Sequence, residues 1–117
     1  MKPRFQADAD LHPEIVASVL RRESLVDFQY AADVFPDGTR DDEVLRTAAA
    51  ADRILVFHDV STMPVHFAAF LAAGFASPGV ILISQATGVG RAIEELLIIW
   101  AASDASEWRN LIVRFPL

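Results

Sequence analysis

Asp8, Asp10, Asp41 and Asp59 are the residues of this sequence whose types and positions best suit chemistry. Asp59 ends the apolar run of "ILVFHDVSTMP", Asp8 follows a short apolar segment near the amino terminus, and Asp10 comes two residues later. Asp41 precedes Val44 and Leu45 by three and four residues, which in a helix puts it on their buried face. Each acid alone reads as helix capping or as polar punctuation at a strand end. Together they describe an acidic cluster. Two carboxylates about 4 Å apart repel by roughly 4 kcal/mol at an effective dielectric near 20. Such a cluster takes up a proton, with one pKa raised, or binds a divalent cation. Oxygen donors without cysteine favour magnesium or manganese, which can activate water for in-line attack on a phosphodiester. The chemistry expected is that of a nuclease, with Asp8, Asp41 and Asp59 as metal ligands and Ser61 and Asp10 in support.

The elements that would position these acids alternate between apolar runs and helical periodicity. Strands are predicted at Arg4 to Ala7, Leu25 to Phe28, Ile54 to Phe57, Val80 to Ile83 and Leu111 to Val113. Helices are predicted from Pro13, over Asp41 to Ala51, over Met63 to Ala73 and over Ala92 to Ala102. Uniformly apolar strands separated by helices imply a mainly parallel sheet covered on both faces, a three-layer α/β/α sandwich joined by right-handed crossovers. Open sheets of this class bind ligands beyond the carboxyl ends of their strands, where Asp8 and Asp59 fall.

Composition narrows the function further. With 117 residues, 53% of them hydrophobic and 22% charged, the expectation is a single domain spanning 1–117. The apolar stretches are shorter than a membrane span, and the acidic amino terminus does not look like a signal peptide, so a cytoplasmic protein is expected. The absence of cysteine removes disulfides, thiolate metal sites and cysteine nucleophiles. Lys2 is the only lysine, which removes Schiff-base chemistry inside the fold. A formal charge of −6 argues against broad electrostatic attraction to nucleic acid and leaves local basic patches open.

The segments "FQADADLHPEI", "DDEVLRTAAAADRILVFHD" and "VGRAIEELLIIW" resemble, in order and spacing, small bacterial PIN-like proteins. That family's pattern runs D-E-N-L-P-P, then D-E-E-I-L with an alanine-rich helix, then T-x-D-x-D-F. The resemblance implies a PIN-type sandwich and membership of the group of toxin-like ribonucleases of toxin–antitoxin pairs. RNA would then be the substrate and a small antitoxin protein a partner. Asp8 matches the family's first acid, Asp41 the acid opening the middle helix, and Asp59 the first acid of the last motif. Asp10 stands where the family has asparagine and Ala9 where it has glutamate. Phe57 and His58 replace threonine and a residue that is usually basic. The final acid falls on Ser61, so the site is weaker by one carboxylate unless Asp10 or Glu43 compensates.

Other features carry less. His58 is next to Asp59 on a strand, where neighbours face opposite ways, so a structural role is expected. His12 and His66 lack ligand spacing to each other. Gly88 and Gly90 read as a helix entry without a P-loop lysine, and Arg21, Arg22 and Arg91 as solvated helix ends that could touch an RNA backbone. The run Leu97, Ile98, Ile99 and Trp100 is too continuous for one buried face and suggests a homodimer or a protein partner. Two alternatives remain. One is a PIN-like module that has lost catalysis and only binds, for which Ser61 and Ala9 speak. The other is a phosphoreceiver-type signalling domain, whose layout Asp8, Asp10, Asp59 and Ser84 imitate, although Arg114 stands near the place of its lysine.

Overall fold

Every residue of the strands Ile54–Phe57 and Val80–Ile83 is buried, as a sheet covered on both faces requires. In the computed structural model, which describes residues 1–116, the order is β1 (Phe5–Ala7), α1 (Pro13–Arg22), β2 (Phe28–Gln29), α2 (Asp41–Ala50), β3 (Ile54–Phe57), α3 (Met63–Ala72), β4 (Val80–Ile83), α4 (Val89–Ala102) and β5 (Ile112–Phe115). The strands form one parallel sheet in the order β2-β1-β3-β4-β5. Phe5, Ile54, Val56, Ile81 and Ile83 pack against Ile15, Val16 and Val19 of α1 and Ala92, Ile93, Leu96 and Ile99 of α4. Leu55, Phe57, Val80 and Leu82 point the other way, onto Val44, Leu45 and Ala48 of α2 and Met63, Phe67 and Phe70 of α3. Strand alternation thus splits the core into two layers, giving the α/β/α sandwich. No helix among the described residues is long and apolar enough to cross a membrane.

The strand order puts the topological switch between β1 and β3, because the chain runs from β1 outward to β2 and then returns past β1 to β3. Not all crossovers share one hand. The β1–α1–β2, β2–α2–β3 and β3–α3–β4 units agree in hand, whereas α4 lies on the α1 face while the chain still moves from β4 outward to β5. The uniform right-handedness expected from sequence therefore fails at β4–α4–β5. With α4 on that side, no helix among the described residues covers β5 opposite to it. Ile112 and Arg114, in register with Val80 and Leu82, are exposed there.

Several boundaries move for local reasons. The second strand is Phe28–Gln29, pairing with Phe5 and Gln6, because Leu25 sits in a turn whose amide donates to the Glu23 carboxylate. Helix α4 begins at Val89, since Gly88 already takes the extended N-cap conformation. The last strand runs through Phe115, as the Leu111 amide is used to close the preceding turn onto the Trp108 carbonyl.

That turn depends on Gly79. Its φ of +111° belongs to the left-handed side, and an added Cβ would lie 2.3 Å from the Trp108 carbonyl oxygen. Gly74 has φ +92° but open space around the same position. Gly79→Ala should therefore destabilise by at least about 2 kcal/mol, and Gly74→Ala by about 1 kcal/mol. Urea midpoints measure both, and equal costs would mean that backbone angle, not the approach to Trp108, constrains Gly79.

Candidate functional site

Asp8, Asp10, Asp41 and Asp59 come from three places that the topology brings to the carboxyl edge of the sheet: the turn after β1, the start of α2 and the turn after β3. Asp8 is held at the end of β1, its amide donating to the Val56 carbonyl at 3.0 Å and its own carbonyl accepting from Leu11 at 3.0 Å. The turn these bonds close swings Asp10 across to β3. There the Asp10 carboxylate accepts the His58 amide at 3.2 Å and the Asp59 amide at 2.8 Å.

Asp59 faces inward. One of its oxygens accepts the Ser61 amide at 2.8 Å and the Ser61 hydroxyl at 2.9 Å, while the other accepts the Thr62 hydroxyl and, at 3.2 Å, the Met63 amide. The side chain thus satisfies amides that the first turn of α3 would otherwise leave without partners. These donors stabilise the charged carboxylate and hold its pKa well below the usual range. Ser61 is engaged with Asp59 rather than with the crevice. The Thr62 hydroxyl also reaches Asp41, at 3.1 Å, and His66 Nε2 stands 3.9 Å from the same Asp41 oxygen. Glu43 is exposed and faces Arg46 at 4.0 Å, so it does not compensate for the acid missing at Ser61.

Asp8 differs from the other three. It is nearly buried, and its carboxyl pKa is pushed up to about 7, first by burial, then by the adjacent Asp10 charge and its hydrogen bond, and more weakly by Asp41.

The structure therefore links the acids in a chain: Asp8 beside Asp10, Asp10 on the Asp59 amide, and Asp59 through Thr62 to Asp41. It does not gather Asp8, Asp41 and Asp59 around one point. Among the described residues, no three Asp, Glu or His side chains stand close enough together to hold one ion. The three-acid cage expected from sequence fails because Asp59 is turned onto α3. A site of two carboxylates is still available, and magnesium needs only one or two when water and substrate oxygens complete its shell. Asp8 and Asp10 fit that requirement in donor type, in proximity and in their excess of negative charge.

Sequence reasoning missed Thr62 and His66. Thr62 at the N-cap of α3 and His66 in its first turn are four residues apart, which puts both toward Asp41, a signal that was present. His58 takes the structural role expected of it, although the strand geometry behind that expectation does not reach it. The strand stops at Phe57, so alternation no longer applies, and His58 and Asp59 line one shallow cleft together with Asp10 and Ser84. His58 itself is buried, with Nδ1 2.8 Å from the Ile83 carbonyl. His12 caps α1 by accepting the Glu14 amide at 3.1 Å. The chain matches no family model, no curated protein and no solved structure.

Since Asp59 supports α3 through its charged form, Asp59→Ala should destabilise by about 1 kcal/mol. The stabilisation is present above the pKa of an unfolded aspartate and is lost as pH falls below about 4, toward the depressed folded value. Thermal melts at pH 7 and pH 3 test this, with the gap between variant and parent narrower at the lower pH. A variant more stable than the parent at pH 7 would mean that repulsion among the acids outweighs the cap.

Proposed function

We propose that the crevice hydrolyses phosphodiester bonds with one magnesium or manganese ion, as a PIN-like ribonuclease of toxin–antitoxin type. The observation that carries this reading is the Asp8–Asp10 pair. Two carboxylates stand together at the topological switch point, where burial and then the neighbouring Asp10 charge push the Asp8 pKa up to about 7. A cation there would replace the proton.

Asp8 and Asp10 would hold the ion, with Asp41 facing it from the start of α2. When bound, such an ion supplies Lewis acidity beside a scissile phosphate. The chain's own residues do the rest. Asp10 fixes the turn after β3 through two amides, the Thr62 hydroxyl lies between Asp59 and Asp41 with one proton for the two, and His66 puts an imidazole beside Asp41. Arg40 lies on the same rim, paired with Asp42 at 3.1 Å, and could exchange that exposed partner for an RNA phosphate. RNA as the substrate and an antitoxin as the partner rest on the resemblance in sequence. A second copy or an antitoxin would dock on α4 around Ile98, which is 58% exposed within an otherwise apolar run.

A second reading is a PIN-like module that binds without cleaving. It is favoured by Asp59, whose oxygens are both occupied by α3, and by the uncharged Ser61. The phosphoreceiver alternative shares this strand order, but a phosphoacceptor at Asp59 would have to leave those same donors, and Arg114 offers no compact ammonium at the end of β5.

The sign of the pH dependence follows from Asp8. Its folded pKa is raised, so the unfolded chain releases this proton first, and metal-free stability should fall by roughly 2–4 kcal/mol between about pH 4 and pH 7. Asp8→Asn should flatten that slope and abolish both stabilisation by manganese and any RNA cleavage. Manganese should raise the melting temperature more at pH 8 than at pH 6, because a proton no longer competes. Melting temperatures indifferent to millimolar manganese at both pH values would defeat the metal-dependent reading. Manganese stabilisation without cleavage of any RNA would leave the binding module.

A further inference from the structure

A cavity of about 380 Å³ opens beside Asp8, between the start of α1 and the loop that joins β2 to α2. This volume lies within the range of about 300–1,000 Å³ usual for small-ligand sites. Leu11, Val16 and Phe35 form its buried apolar floor, and the half-buried Tyr30 adds an aromatic wall. Asp8 stands at the end nearest the acids, while Asp37 stands exposed on the loop side. The cavity has no lysine, arginine or histidine in its lining. That charge pattern repels a phosphate and accepts a flat, uncharged group with hydrogen-bond donors on its edge.

We propose that this cavity receives one unpaired guanine of an RNA strand whose neighbouring phosphate lies at the acidic crevice. The inference rests on the phosphodiesterase reading for the position of that phosphate, and on the cavity alone for the base. Single-stranded RNA is recognised by splaying bases onto aromatic and apolar surfaces and reading their edges. Tyr30 and the floor supply the surface. The Asp37 carboxylate accepts the N1–H and amino N–H of guanine in parallel, a pair that uracil cannot offer and whose own carbonyl would meet an anion instead.

The test uses guanosine and uridine on the metal-free protein, followed by amide chemical shifts in NMR. Guanosine should shift the resonances of residues 30–39, and uridine should bind at least about tenfold more weakly. Ala32→Trp places an indole from an exposed position into the cavity and should abolish the guanosine shifts while leaving stabilisation by manganese intact. Asp37→Asn should bring the two nucleosides close to equal affinity. If neither nucleoside shifts these residues, or if methylguanidine occupies the cavity and guanosine does not, the base-binding proposal is overturned, the latter in favour of an arginine side chain from a protein. Manganese stabilisation without guanosine binding would remove the pocket and keep the hydrolytic reading. Guanosine binding without manganese stabilisation would do the reverse.

Discussion

The hydrogen bonds from the His58 and Asp59 amides to the Asp10 carboxylate hold the carboxyl edge of the sheet together. They join the turn after β1 to the turn after β3 across the switch point, where no helix crossover ties adjacent strand ends directly. The remaining site geometry follows from them. With its amide fixed, Asp59 turns its side chain onto the first amides of α3, and α3 then presents Thr62 to Asp41. Burial first, and then the same Asp10 charge that accepts these amides, keep Asp8 from ionising easily. A structural bond and a functional perturbation come from one carboxylate, because an anion placed to satisfy backbone donors acts on every titratable neighbour within a few ångströms.

The layers of the fold were legible because burial on both faces leaves an unmistakable pattern. Ile54–Phe57 and Val80–Ile83 contain no polar residue, and Val44, Leu45 and Ala48 repeat at helical spacing beside them. Short strands at the sheet's edges were harder, since β2 needs only Phe28 to face the core and Leu25 reads as a strand residue while lying 77% exposed. The acids were legible as strand-end residues. Their directions were not, because a carboxylate after a strand points where its turn sends it, and the Asp59 turn is set by Asp10, which lies 49 positions away. The rule of alternation reached the right role for His58, which is buried against the Ile83 carbonyl, although the strand ends at Phe57 and the rule with it.

The side taken by α4 was also invisible to periodicity, since an apolar helix stripe does not say which face of a sheet it will cover. What holds α4 on the α1 face is contact with that helix, together with Trp108, which is fixed by donation of its indole N–H to the Ser103 hydroxyl at 2.9 Å. The turn that follows is locked from the other side by Ser77, whose amide donates to Asn110 at 2.8 Å and whose carbonyl accepts from the Asn110 amide at 2.9 Å. Left-handed placement of a crossover is rare, about one in fifty. Here it follows a connection long enough, Ser103 to Leu111, to return β5 to the sheet without continuing the helix.

Division of labour among the four acids bears directly on what the crevice can do. Were all four free, their mutual repulsion would push the turns apart, and a cation would have to order the site as well as bind in it. Instead Asp10 and Asp59 are anchored by backbone amides, which stabilise their charges without a counter-ion. Asp8 is placed by the end of β1, and Asp41 by the first turn of α2. The groups left to meet a ligand therefore stand on rigid supports, and the conformational cost of ordering them is met in folding rather than in binding. The same anchoring limits the site. Asp59 cannot turn outward without stripping the first turn of α3 of its acceptors, so any chemistry here must work with Asp8, Asp10 and Asp41, and a fourth negative charge is available only at the expense of the helix.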